Sequence, residues 1–192
     1  MSDLETEIRK RLRPSQANIH RVLLIRPPDV DHTLFTFDAA RRKRHSNYPP
    51  YGILVLATSL KSIGVEVEIL DLHHATLVAA NAASNEAEFD FERVWKKLVA
   101  EALARFKPDL AGVTCMFTMT HASFVAVCNE VLAQKVPLAV GGVHISNNLD
   151  FVLSEVPGID FAFMREADRS FPAFVQAVNG KQPFAELGQL TL

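Results

Sequence analysis

The residues best suited to meet a ligand fall in four short segments of the 192-residue chain. Gly141-Gly142-Val143-His144 follows a small apolar run, and a glycine pair at such a point lets backbone approach a large flat or phosphorylated ligand with no Cβ in the way. Thr114, Met116, Thr118, Thr120 and His121 offer hydroxyl, thioether and imidazole groups in close succession. Tyr48-Pro49-Pro50-Tyr51-Gly52 sets two aromatic rings about a rigid proline pair, and Arg165-Glu166 places a cation beside a carboxylate. Each segment also has a plain structural reading. The glycine pair makes a tight strand-to-helix turn, the threonines cap a helix, and Glu166 and Asp168 cap the last one.

Several chemistries are excluded by pattern. No G-x-G-x-x-G follows the first apolar run, and no G-x-x-x-x-G-K-[ST] cradles a phosphate. No serine sits on a G-x-S-x-G elbow, and the third strand ends in Cys115 where a phosphoacceptor site would want aspartate. With two cysteines the chain can neither build a zinc site from thiolates alone nor hold an iron-sulfur cluster, which takes three or four. The sequence therefore points to binding before catalysis.

The elements that must position these segments can be read from periodicity. Residues 3–13 carry Leu4, Ile8 and Leu12 at helical spacing, with acids first and bases last, and Pro14 ends the run. Arg21–Arg26 is a strand apolar on both faces, closed by Pro27-Pro28, and a long segment to Pro50 follows that contains His32 and the basic run Arg41 to Arg44. Tyr51 to Ile63 is helical with Gly64 as its stop, and Val65–Leu70 alternates as a half-covered strand. After the small-residue stretch Val78 to Ala87, which carries little signal, a helix spans Phe91–Phe106. A strand at Leu110–Cys115, a helix at Thr120–Gln134 and a strand at Val136–Val140 come next. A short helix at Asn148–Glu155, a strand at Asp160–Met164 and a helix at Phe171–Val178 complete the set. Five strands alternating with helices predict an α/β doubly wound, five-stranded parallel sheet in the flavodoxin-like order 2-1-3-4-5, with helices on both faces. That order brings the four segments to one crevice at the carboxyl ends of the strands. The expected organisation is a helical extension over 1–20, a ligand-binding α/β domain over 21–182, and from 183 the start of a linker toward a further domain.

Composition agrees with one buried core: 48% of residues are hydrophobic and 22% charged. A formal net charge of -2 and an isoelectric point near 6.4 give no global field for nucleic acid or an anionic membrane. No run of apolar residues is long enough for a membrane span, and the few cysteines and the lack of a secretory signal fit a cytoplasmic protein.

Taken together and in order, Leu23-Leu-Ile-Arg-Pro-Pro28, Tyr48-Pro-Pro-Tyr-Gly52, Ile69-Leu-Asp71, Phe106 to Thr114, Val140-Gly-Gly-Val-His144 and Asp160 to Asp168 resemble the amino-terminal cobalamin-binding domain of B12-dependent radical S-adenosylmethionine (SAM) enzymes. The resemblance runs from about Arg21 to Gly180. It implies a module that presses the lower face of cobalamin's corrin onto the strand ends and threads the nucleotide tail between sheet and helices. By position, Gly141, Gly142, Val143 and His144 would line corrin or tail. Met116 to His121, with Thr118 and Thr120 among them, would meet the tail side, Thr114 is a further cofactor-binding candidate, and Tyr48, Pro49, Pro50, Tyr51 and Gly52 would flank the corrin. Where the family has Gly-Glu-Gly-Glu this chain has Arg165-Glu166-Ala167-Asp168, and Arg165 is expected to pair with the tail phosphate. The 4Fe-4S cluster and S-adenosylmethionine would belong to a radical SAM domain, in cis or in trans, that the module serves, often for methyl transfer. Asp71-Leu-His73 begins like the Asp-x-His-x-x-Gly of a second cobalamin family, but Thr76 stands at the glycine position and the motif follows the second strand. His32 is the better-placed candidate for a lower ligand to cobalt. Two other readings stay open from the residues alone: a flavodoxin-like interaction domain without a cofactor, and a small nucleotide-binding enzyme.

Overall fold

The computed structural model describes residues 3–12, 18–184, 187 and 190–191. Pro14 and most of the stretch after Phe184 lie outside the described residues.

The chain opens with helix α1 (Asp3–Arg11) and enters strand β1 (Arg21–Arg26). Val22 and Leu24 face one layer of the core and Leu23 and Ile25 the other, so the strand is buried on both sides. A short helix α2 (Phe37–Arg41) lies inside the segment expected to be loop throughout; Phe35 and Phe37 pack on Phe89 and anchor it. Helix α3 (Tyr51–Ser62) and strand β2 (Glu66–Asp71) follow.

Helix α4 (Leu72–Ala82) occupies much of the stretch that carried little sequence signal. Its Asp71 cap accepts the His74 N–H, and its buried positions Leu72, His73, Thr76, Leu77 and Ala80 keep helical spacing. Only Leu72 and Leu77 among those positions are strongly apolar; His73, Thr76 and Ala80 give weak hydropathy and blur the period. Helix α5 (Phe91–Phe106) is capped by Asp90, whose carboxylate accepts the Arg93 N–H. Strand β3 (Leu110–Thr114), helix α6 (His121–Ala133) and strand β4 (Leu138–Gly141) come next. Two short helices, α7 (Val143–Asn147) and α8 (Leu149–Glu155), fill the region where one was expected.

Strand β5 (Phe161–Phe163) leads to helix α9 (Ala167–Val178), which starts earlier than Phe171 and carries Pro172 internally. A proline there forfeits one helical hydrogen bond, but Phe171, Phe174, Val175 and Val178 are buried along one side, each contributing about 2 kcal/mol.

Among the described residues the sheet has six strands, not five, in the order β2-β1-β3-β4-β5-β6. The first five are parallel in the expected order. The sixth, β6 (Leu190–Thr191), pairs antiparallel with Phe163 and Ala162. Its two residues are too few to show alternation, and they fall in the segment expected to leave the domain. Helices α1, α3 and α9 cover one face of the sheet, and α5, α6 and α8 the other. Among the described residues no helix is long and apolar enough to cross a membrane.

Candidate functional site

The parallel order places the ends of β1, β3, β4 and β5 along one edge. Thr114 stands opposite Gly141 in the β3–β4 ladder, so the two following segments start side by side. The Cys115 N–H donates to the Gly141 carbonyl (2.9 Å) and the His144 N–H to the Cys115 carbonyl (3.2 Å). Gly142 sits between them at φ +120°, and a Cβ there would lie 2.4 Å from the Cys115 carbonyl oxygen. The close approach that demands glycine at 142 is thus to the chain's own backbone. Gly141 is less constrained, since its Cβ would meet the Phe163 oxygen at 3.4 Å.

This turn starts α7 and drives the His144 side chain inward, to 2% exposure. His144 Nδ1 faces Thr118 Oγ1 at 3.1 Å and Asn148 Nδ2 at 3.3 Å, while His144 Nε2 lies 3.0 Å from His121 Nδ1. The structure therefore joins Thr118, His121 and His144, three of the residues singled out by sequence, into one hydrogen-bonded set. Burial holds both histidines below the ordinary imidazole value. The nearby Glu155 opposes that for His121, and the His121 charge adds to it for His144.

Helix capping does not account for the threonines. Thr120 Oγ1 donates back to the Phe117 carbonyl (2.7 Å), and no side chain caps the first turn of α6. Glu166, at the N-cap position of α9, makes no capping hydrogen bond either. Cys115, buried beside Thr120, has its thiol pushed up by burial against the Thr120 hydrogen bond, so it is no poised nucleophile.

Tyr48, Pro49, Pro50, Tyr51 and Gly52 form the entry to α3, with Tyr48 74% and Tyr51 78% exposed. They are tied to β1 and β2. Arg26 Nη1 donates to the Tyr48 carbonyl (2.7 Å), and the Arg26 guanidinium pairs with Asp29 (2.7 Å) and Asp71 (3.3 Å). His73 accepts the Asp29 N–H at its Nδ1 (3.2 Å) and meets the Ser46 carbonyl through Nε2 (2.6 Å). His73 is therefore a buried tether for this loop. His32 is exposed, 3.5 Å from Glu92 of α5.

Arg165 and Glu166 follow β5 as exposed residues. Arg165 takes the left-handed conformation at φ +58°, which favours glycine, and its N–H donates to Ser146 Oγ of α7 (2.7 Å). The backbone shape that a glycine would give is kept here by an arginine.

Sequence reasoning did not single out Asn148 or Arg26, nor His73 as a tether; Phe117 and Met119, both exposed, fall inside the segment from Met116 to His121 that it did single out. The i, i+4 spacing of His144 and Asn148 was the available signal, but it is legible only once 143–147 is known to be helical.

These residues fit a large ligand with an apolar face and polar arms. Tyr48, Tyr51, Met116, Phe117, Met119 and Val143 expose apolar surface, and the uncapped turn of α6 holds two buried polar atoms without a partner, His121 Nε2 and Ser123 Oγ. Fold and site together define a doubly wound α/β ligand-binding domain. The B12 binding domain family matches residues 38–175, and the chain belongs to that family. It is similar to the cytidylyl-2-hydroxyethylphosphonate methyltransferase of Streptomyces wedmorensis, 24% identical over 170 residues that cover 88% of this chain and 30% of that protein. It is also similar to an uncharacterized methyltransferase of Pyrococcus horikoshii, 22% identical over 162 residues that cover 84% of this chain and 30% of that protein. The chain thus spans about 30% of the length of these curated relatives.

Proposed function

We propose that this chain is the cobalamin-holding module of a B12-dependent radical SAM protein, which holds and orients the corrin for a separate radical SAM domain that performs methyl transfer. The observation that carries the reading is the paired loop after β3 and β4, in a chain that belongs to the B12 binding domain family. There Gly142 folds back on Cys115, the half-buried His121 meets the buried His144, and apolar side chains stand exposed around them.

In this reading Tyr48 to Gly52 flank the corrin, held in place by Arg26 and His73. Gly141 to Val143 form its floor, and Met116 stands at the start of the tail side. Thr114, Thr118, Thr120, His121 and His144 meet the nucleotide tail, and Arg165, exposed at the rim with Glu166, pairs with its phosphate. When bound, the cobalamin supplies the carrier for a methyl group; this chain's residues bind it, orient it and keep water from its lower face. The names of both relatives support methyl transfer as the reaction class, and the part of each relative that this chain does not match has room for a second domain. Two cysteines, both unpaired and buried, suit a reducing cytoplasmic setting and leave the iron-sulfur ligands to that domain.

The test is anaerobic reconstitution of the gene's whole product, or of this chain with its cluster-bearing partner, using iron, sulfide and hydroxocobalamin. The reading predicts about four iron atoms and one corrin per assembly, as a 4Fe-4S cluster requires, and reductive cleavage of S-adenosylmethionine. An assembly that retains corrin but neither holds a cluster nor cleaves S-adenosylmethionine would sink the radical SAM assignment.

A further inference from the structure

His73, the buried histidine of α4, holds both ends of the segment between β1 and α3 with one ring. Its Nδ1 accepts the Asp29 backbone N–H at 3.2 Å, and its Nε2 lies 2.6 Å from the Ser46 backbone carbonyl. A backbone N–H only donates and a carbonyl only accepts, so these partners fix the tautomer with the proton on Nε2. The Asp29 carboxylate stands 3.5 Å from the same Nε2 and is paired with Arg26, which also holds the Tyr48 carbonyl.

Residues 29 and 46 are thereby drawn into the two ends of a closed loop, and what lies between them is thinly attached. Among residues 30–45 only Ala40 is buried. It packs with Leu77 and Ala80 of α4 and with Phe35, Phe37 and Phe89 in a small apolar cluster, separate from the two that sandwich the sheet. Phe35 also stacks on His45 at 5.3 Å, which ties the start of the segment to its own end. Its polar ties outward are Arg41 to the Ala83 carbonyl, Asn81 to the Ala40 carbonyl and His32 beside Glu92. Two features work against the closed position: His45 Nε2 is buried with no partner, and Lys43 takes the left-handed conformation at φ +55°. A unit with its own small core, few outward contacts and stored strain opens before the sheet does. Its roots lie at the carboxyl end of the strands, and the Ser46 root leads within two residues to Tyr48 and the entry of α3.

We propose that residues 30–45 form a strap that swings as one unit about Asp29 and Ser46, with the His73 ring as its latch and Phe89 as its rest, and that its opening sets how fast a corrinoid enters and leaves the strand-end site. The proposal rests on the cobalamin-binding reading and goes beyond it. His73 is a positioning residue that acts through the strap.

The test has two arms. Deuterium exchange of the ligand-free protein, read by mass spectrometry, follows the peptides that carry the hydrogen-bonded amides of Phe35, Ala40, Arg42 and Arg44. They should exchange together, and about tenfold faster in His73→Phe, as expected for a lost hydrogen bond, while the amides of β3 and β4 keep their rates. In stopped-flow mixing with hydroxocobalamin, association and dissociation should both be about tenfold faster in His73→Phe, with Kd changed by less than about threefold. His73→Gln, whose amide still donates to the Ser46 carbonyl, should fall between the two. Should His73→Phe fail to fold, Phe35→Ala, which removes the contacts with Phe89 and Phe91 at the far end, should give the same two results. Faster exchange spread over the whole sheet, or none in the strap, overturns the proposal. Unchanged corrinoid rates overturn it too, as does a loss of affinity carried by dissociation alone, which would make His73 part of a static binding surface. A wild-type chain whose strap exchanges as a unit but which retains no corrinoid overturns the functional reading and the gating role with it.

Discussion

Replacing Gly142 with alanine should damage the fold before it touches any ligand. The residue lies at φ +120° and ψ 170°, a region essentially reserved for glycine, and an L side chain there costs roughly 1–3 kcal/mol. The added Cβ would lie 2.4 Å from the Cys115 oxygen and 2.9 Å from its carbonyl carbon, a backbone overlap that no side-chain rotation relieves and that adds about 1–3 kcal/mol. The sum, roughly 2–6 kcal/mol, corresponds to a fall in Tm of about 5–20 °C for a domain of this size. Thermal unfolding of the ligand-free protein, followed by circular dichroism, reads it. Gly52→Ala is the control: a Cβ there meets nothing within 4 Å, and alanine is the better helix former, so the ligand-free Tm should hold or rise slightly while cobalamin affinity falls. A Gly142→Ala protein that melts within about 2 °C of wild type would refute the claim that the β4 turn is dictated by Cys115.

Three further outcomes are expected. Because both His121 and His144 are held below the ordinary histidine value, the native chain binds fewer protons than the unfolded one as pH falls below about 6.5, and stability declines with it. Tm should drop by a few degrees between pH 7 and pH 5, and by less in His121→Phe; a flat profile would contradict the lowering of both imidazoles by burial. Arg165→Gly should raise Tm by about 2 °C by relieving the left-handed backbone, while both it and Arg165→Ala weaken cobalamin binding; unchanged affinity removes the phosphate role. Arg26→Met should lower stability by about 3 kcal/mol, since it leaves Asp29 and Asp71 without their guanidinium and frees Tyr48, and denaturant titration checks it.

What could be read from the sequence was whatever repeats along one element. The two-faced apolar runs at Val22 to Ile25 and Leu138 to Val140, and the long stripe of α5, gave the parallel sheet and its order. What escaped was set by tertiary contact. The buried face of α4 has two leucines, Leu72 and Leu77, and is completed by His73, Thr76 and Ala80, which hydropathy barely registers. Strand β6 exists only because Phe163 and Ala162 present an edge to it. In the site, His121, His144 and Thr118 could be named from position, but their union depends on Gly142 folding onto Cys115. The glycine pair was read as making room for a ligand. At Gly142 the room is taken by the chain itself, and the ligand-facing surface is supplied by exposed side chains on either side.

Whether this chain holds cobalamin can be measured directly. The purified ligand-free protein is mixed with excess hydroxocobalamin in the dark, passed through a desalting column and examined by visible absorption. A coloured protein with close to one corrin per chain is the expected result. A colourless protein that is folded by circular dichroism would contradict it.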